Sequence, residues 1–160
     1  MPENRAKNIA FKLNGRDCRV EAAPQVSLLE LLRENLHLTG TKEGCGVGDC
    51  GTCLVLLDGK PVNSCLVLAV DVAGREVVTI EGLATGDRLH PLQESFIEYG
   101  AVQCGFCSPA MILAAKALLD RNPDPSEQEI KQALSGILCR CGSYKKIIQA
   151  VRETASKGNR

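Results

Sequence analysis

The chain has 160 residues, and its 19 basic and 19 acidic side chains cancel to a formal net charge of zero. Neither sign forms a long block, aromatic residues make up 3% and Trp is absent, which removes both the charge footprint and the stacking platform that nucleic-acid binding needs. What stands out is nine cysteines, and the partners predicted for so neutral a surface are other proteins.

Met1 to Lys7 is polar, and Asn8 to Leu13 is too short and too interrupted by charge for the apolar region of a signal peptide. No apolar run approaches the roughly twenty residues of a membrane span. The expected location is a reducing cytoplasm, where paired cysteines hold metal more often than they bond to one another.

Alternation of Ile9, Phe11, Leu13 and then Cys18, Val20, Ala22 around Asn14-Gly15 predicts a β-hairpin. Ser27-Leu-Leu-Glu30 reads as a capping box opening a short helix that buries Leu28, Leu29, Leu31 and Leu32, with Gly40 beyond its end. A glycine-rich loop with three cysteines follows. Thr52 to Leu57 and Pro61 to Leu68, parted by Asp58-Gly59, predict a second hairpin, and Glu76 to Ile80 a last strand. This order suits a ferredoxin-like β-grasp domain over residues 1–81.

Beyond Gly82 the apolar period becomes helical. Pro91 is placed to open a helix carrying Leu92, Phe96 and Ile97. Ser108-Pro109 predicts a cap and first residue for a helix through Met111 to Leu119 that Asn122-Pro123 stops. Ser126 to Glu129 is a second capping box, and Tyr144, Ile147, Ile148 and Val151 mark a last helix. The expectation for residues 82–160 is a four-helix bundle, giving an α+β chain of two small domains in which bound metal supplements modest cores.

Eight cysteines fall into two quartets. Cys45-x4-Cys50-x2-Cys53 with Cys65 has the plant-type spacing of a 2Fe-2S ferredoxin. Gly44, Gly46, Gly48 and Gly51 in the same loop suit a backbone that takes positive φ and turns its N–H groups onto cluster sulfurs. Zinc needs no such cradle. The second quartet, Cys104-x2-Cys107 and Cys139-x-Cys141, lies at two helix joins that an antiparallel bundle can bring together; its spacing alone serves zinc as well as iron. The two histidines, His37 and His90, flank neither quartet and read as helix-face and helix-start residues. Cys18 reads as a small core side chain, and no cysteine or serine has a histidine and acid placed to make it a nucleophile.

These residues resemble the small iron-sulfur subunit of the molybdenum hydroxylases, the group of xanthine dehydrogenases, aldehyde oxidoreductases, carbon monoxide dehydrogenases and bacterial heterocycle hydroxylases. Lys42-Glu43-Gly44-Cys45 through Cys50-Gly51-Thr52-Cys53 is similar to that family's first cluster loop. Val102 to Pro109 and Leu138-Cys139-Arg140-Cys141 are similar to its second. The resemblance implies two 2Fe-2S clusters: Cys45, Cys50, Cys53 and Cys65 would hold the one nearer a flavin, and Cys104, Cys107, Cys139 and Cys141 the one nearer molybdenum. It further implies that Gln103 hydrogen-bonds the pterin cofactor and that the Cys141 sulfur approaches it. The implied partners are a large molybdopterin-binding subunit and a medium FAD-binding subunit. Three places depart from the family pattern around the second cluster: Ile137 for Asn, Gly142-Ser143 for Thr-Gly, and Ala110 for Gly.

The expected function is electron transfer from the molybdenum centre through both clusters to FAD, within an oxidoreductase whose substrate chemistry is on a partner. A freestanding two-cluster carrier is the alternative, which an acidic docking surface would favour and the neutral charge does not. A zinc-stabilised interaction module is a third.

Overall fold

The computed structural model describes residues 5–158, so most of the polar Met1 to Lys7 stretch lies outside the described residues. Strands β1 (Lys7–Leu13) and β2 (Arg16–Ala22) form the first hairpin, with Asn14 and Gly15 at φ 52° and 76° in its turn. Two left-handed residues match the twist of a two-residue hairpin, which Asn-Gly supplies at least steric cost. Strands β3 (Leu54–Leu57), β4 (Lys60–Asn63) and β5 (Glu76–Val78) complete a five-stranded sheet in the order β2-β1-β5-β3-β4. Only the central β1·β5 pair is parallel.

The strands are shorter than the sequence predicts, for local reasons. β4 stops at Asn63 because Ser64 turns into a 3-10 segment, Ser64–Leu66, whose Ser64 N–H and Oγ–H both donate to the Cys53 carbonyl (3.3 and 2.7 Å). That turn carries Cys65 back to Cys53. β5 stops at Val78 because the Thr79 N–H is taken by Asn14 Oδ1 (2.8 Å). The segment from Leu28 is α-helical only over α1 (Leu28–Glu30) and continues as a π-helical turn, Leu31–Asn35. Ser27 Oγ accepts from Glu30 N–H (3.1 Å), the first half of the expected box, and Leu28, Leu29, Leu31 and Leu32 are all buried. His37 lies past the end of this element at φ 55°, not on a helix face.

Four helices follow: α2 (Pro91–Glu98), α3 (Ser108–Arg121), α4 (Glu127–Leu134) and α5 (Tyr144–Gly158). α4 opens on the expected Ser126/Glu129 box, and α2 on an unforeseen one between His90 and Gln93. In α2, Leu92 and Phe96 are buried but Ile97 is 66% exposed, so the third apolar residue of the period faces out. The cap of α3 differs from expectation: Cys107 holds the capping position and Ser108 is already helical and buried. No described helix is long and apolar enough to cross a membrane.

Two cores meet on β3. Val55 and Leu57 face a cluster with Ile9, Phe11, Leu28, Leu31 and Leu32, while Leu54 and Leu56 join the helical cluster around α3. A strand covered on both faces reads as an uninterrupted apolar run, and Leu-Val-Leu-Leu is one. Helix α3 is correspondingly apolar nearly all round, with nine buried residues, as a helix enclosed by neighbours must be.

Candidate metal centres

The first loop is anchored at its start by Arg33, whose Nη1 donates to the carbonyls of Thr39 (3.1 Å) and Thr41 (2.8 Å). It then wraps around the Cys45 sulfur, which accepts from the N–H groups of Val47 (3.5 Å), Asp49 (3.2 Å) and Cys50 (3.4 Å). Those amides, Val47 first and then Cys50, lower the Cys45 thiol to about 7, since hydrogen bonds to the charged form favour it. Gly46, Gly48 and Gly51 take φ of 69°, 86° and 67°. Gly44 departs from that expectation: its φ is ordinary, and it is needed for size, because a Cβ there would lie 2.7 Å from Cys50 Sγ and from Thr52 Oγ1.

The thiols of this quartet meet as pairs. Cys50 hydrogen-bonds Cys45, and Cys65 hydrogen-bonds Cys53. Burial, then the Cys53 side chain, pushes Cys65 up to about 11, against one N–H from Gly48.

The second quartet is assembled from two loops. Cys104 and Cys107 precede α3 across Gly105 (φ 84°), while Cys139 and Cys141 precede α5 across Gly142 (φ 75°). Cys141 hydrogen-bonds Cys104, and Cys107 hydrogen-bonds Cys139. The Phe106 N–H, then Cys141, lowers the Cys104 thiol, and burial pushes Cys107 up to about 12. Burial also opposes ionisation of Cys139, but N–H groups of Ser143, Cys141 and Gly142 together with the Cys107 thiol outweigh it and lower its pKa. Tyr144 pins the same loop: its hydroxyl accepts from Cys139 N–H (2.7 Å) and donates to the Ile137 carbonyl (3.4 Å). Gln103 Nε2 donates to Ser143 Oγ (2.8 Å), tying one loop to the other.

The quartets adjoin. Leu138 N–H donates to the Cys50 carbonyl (2.9 Å), and Gly51 sits so close that a Cβ would lie 2.1 Å from the Gly136 carbonyl oxygen. One cavity of about 690 Å³ is lined from both sides by Gly44, Cys50, Thr52, Cys104, Phe106, Cys107, Leu138, Cys139, Arg140 and Tyr144.

The eight predicted cysteines are thus brought together as two thiol pairs in each quartet, with Cys141 exposed in the second and Gln103 exposed beside it. Cys18 stands apart on β2, opposite Phe11 and partly buried, and burial raises its pKa. Sequence reasoning missed the roles of Ser143, Tyr144, the Leu138 amide and Thr52, whose Oγ1 lies 3.2 Å from Cys50 Sγ. The signal for Tyr144 was its place three residues after Cys141, where it reads equally as an apolar helix residue.

No three described His, Cys, Asp or Glu side chains converge on one ion position. Thiols held in pairs suit a two-iron cluster with four cysteine ligands, and the amide cradle around Cys45 suits its negative sulfurs. Fold and site together define a two-domain 2Fe-2S protein. Residues 11–79 match the 2Fe-2S iron-sulfur cluster binding domain, and residues 79–152 match a further 2Fe-2S binding domain.

The chain is similar to the nicotinate dehydrogenase small FeS subunit of Eubacterium barkeri, 50% identical over 90% of this chain and 92% of that one. It is also similar to the aldehyde oxidoreductase iron-sulfur-binding subunit of Escherichia coli, 40% identical over 93% and 72%. Its fold is similar to a chain in the crystal structure of quinoline 2-oxidoreductase from Pseudomonas putida 86, with TM-score 0.90 and 43% identity over 96% of this chain and 98% of that one. The chain belongs to the small 2Fe-2S subunits of the molybdenum hydroxylase family.

Proposed function

We propose that this chain is the electron-transfer subunit of a molybdenum hydroxylase, with Cys45, Cys50, Cys53 and Cys65 ligating one 2Fe-2S cluster and Cys104, Cys107, Cys139 and Cys141 the other. When bound, the clusters supply one-electron carriers between a molybdopterin centre on a large partner and FAD on a medium partner. The observation that carries this reading is the Leu138 N–H to Cys50 carbonyl bond, which sets the residue before Cys139 directly against a member of the first quartet. A freestanding carrier does not require its two sites to adjoin.

The chain's own residues have separable roles. In each quartet the hydrogen-bonded pairs, Cys45 with Cys50 and Cys53 with Cys65, then Cys104 with Cys141 and Cys107 with Cys139, are suited to share one iron each. Amides at Cys45 and Cys139 stabilise thiolate, a lever on cluster potential. Exposed Val47 and Leu66 beside the first quartet, and Phe106 and Leu138 beside the second, offer apolar faces to two different partners. With Gln103 at the second, that face is assigned to the molybdenum partner and the first to the flavin partner. Substrate choice rests with the large partner, as relatives named for nicotinate and for aldehydes are similar to this chain at 50% and 40% identity.

We read residues 1–81 as the ferredoxin-like domain and 82–160 as a four-helix bundle around α3; the two family matches, which meet at residue 79, support that division. Nine unbridged cysteines suit a reducing cytoplasm. Anaerobic purification of the complex should give about four irons with matching labile sulfide per chain and two distinct EPR signals on reduction. A molybdenum-containing large subunit should co-purify. Zinc without sulfide, or iron in a chain that associates with no molybdenum subunit, would overturn the proposal.

A further inference from the structure

Ser143 sits where three constraints cross. It is 5% exposed, although the residues on both sides of it are exposed. Its carbonyl accepts from Ile147 N–H (3.0 Å) in the first turn of α5, and its own N–H donates to the Cys139 sulfur. Its hydroxyl oxygen faces the other cysteine loop and accepts from Gln103 Nε2 at 2.8 Å. Beside the thiol pairs, this bond joins the loop of Cys104 and Cys107 to the loop of Cys139 and Cys141.

A primary amide has two ends with opposite hydrogen-bonding character, donors on nitrogen and an acceptor oxygen. Free in solvent, the Gln103 side chain could present either end. Here Nε2 reaches Ser143 Oγ at 2.8 Å, and because a serine hydroxyl both donates and accepts, the bond holds the side chain in place at either end. The exposed amide is therefore oriented by a buried partner, and the energetic cost of holding a rotamer-rich side chain is offset before any ligand arrives.

We propose that Ser143 is a positioning residue that holds one end of the Gln103 amide and so presents the other end to the pterin cofactor of the large partner. The inference rests on the functional reading above and adds to its second site the residue that positions the contacting amide. Because Ser143 N–H also bonds a cluster-binding sulfur, the same residue ties the orientation of the amide to the geometry of the second cluster. A glycine at this position has no side chain with which to do so.

The test uses the whole complex, reduced with dithionite, in wild-type form and with Ser143→Ala, Gln103→Ala and the two combined. Iron content, the two cluster EPR signals and the magnetic splitting between the molybdenum and second-cluster signals are measured. Expected are full iron, an unchanged first-cluster signal, and a weakened splitting with shifted second-cluster g values in each single variant. The double variant should show no more than Gln103→Ala alone, because Ser143 acts through Gln103. Wild-type splitting in Ser143→Ala overturns the inference, as do losses that add in the double variant. If Ser143→Ala loses second-cluster iron while Gln103→Ala keeps both its iron and native splitting, the hydroxyl holds the loop and not the amide, which also overturns it. Wild-type complex lacking iron or molybdenum would strike the functional reading instead.

Discussion

The two thiol quartets reach the same grouping by opposite routes. The first draws three of its four cysteines from Cys45–Cys53, a loop that folds around its own sulfur using N–H groups of Val47, Asp49 and Cys50. The second also has local amides at one sulfur, those of Cys141, Gly142 and Ser143 at Cys139, but that loop carries only two of its four cysteines. Its cysteines come from two helix starts far apart in the chain, and side chains from outside the quartet, Tyr144 on Cys139 and Ser143 on Gln103, hold the loops together. The first site is built by backbone conformation, where glycine is the determining residue. The second is built by tertiary contacts, and hydroxyl groups determine it.

The largest effect should come from the ligands themselves. Cys53→Ser should lose only the first cluster and Cys107→Ser only the second, so that each leaves about two of about four irons; iron and EPR on both variants would show whether the sites are independent. A first-site change that also empties the second would break the contrast. Next is Gly51→Ala, which places a Cβ 2.1 Å from the Gly136 carbonyl at φ 67°. Left-handed strain plus forced displacement should cost about 3 kcal/mol, lower the melting temperature and perturb both EPR signals, since Gly51 is where the two sites touch. Gly46→Ala, with φ 69° but no atom closer than 3.8 Å, should cost about 1 kcal/mol and disturb the first signal alone.

Tyr144→Phe removes one hydroxyl and leaves the Cys139 N–H without its partner, for about 1 to 2 kcal/mol. Only the second cluster's EPR signal should move; an unchanged signal would mean that the aromatic ring, which Phe keeps, and not the hydroxyl, positions the loop. The smallest effect, about 1 kcal/mol, is expected for Ser126→Ala at the cap of α4. Thermal unfolding should register it while neither cluster signal changes.

Legibility followed the same division. The cysteine spacing and glycines of the first loop were readable because their constraints act within a few residues, and even there Gly44 was misjudged, as its reason is the nearby Cys50 sulfur and not φ. The first hairpin and the Ser126 box were local and came out as read. The second hairpin was read too long because Ser64 spends its hydrogen bonds on the Cys53 carbonyl, a choice that depends on where Cys53 already lies. Ser108 before Pro109 reads as a cap, but it packs inside the helical core and Cys107 occupies the capping position.

Residue order alone pointed to the chemistry: eight cysteines in two sets, glycines where the backbone must turn left-handed, and motifs that resemble one family. Only the tertiary structure decided how the sets relate. The contacts between Leu138 and Cys50, between Gly51 and Gly136, and between Gln103 and Ser143 join residues 40 to 88 positions apart. No local propensity encodes such pairings, because they exist only once β3 has buried both of its faces and α3 has packed against one of them.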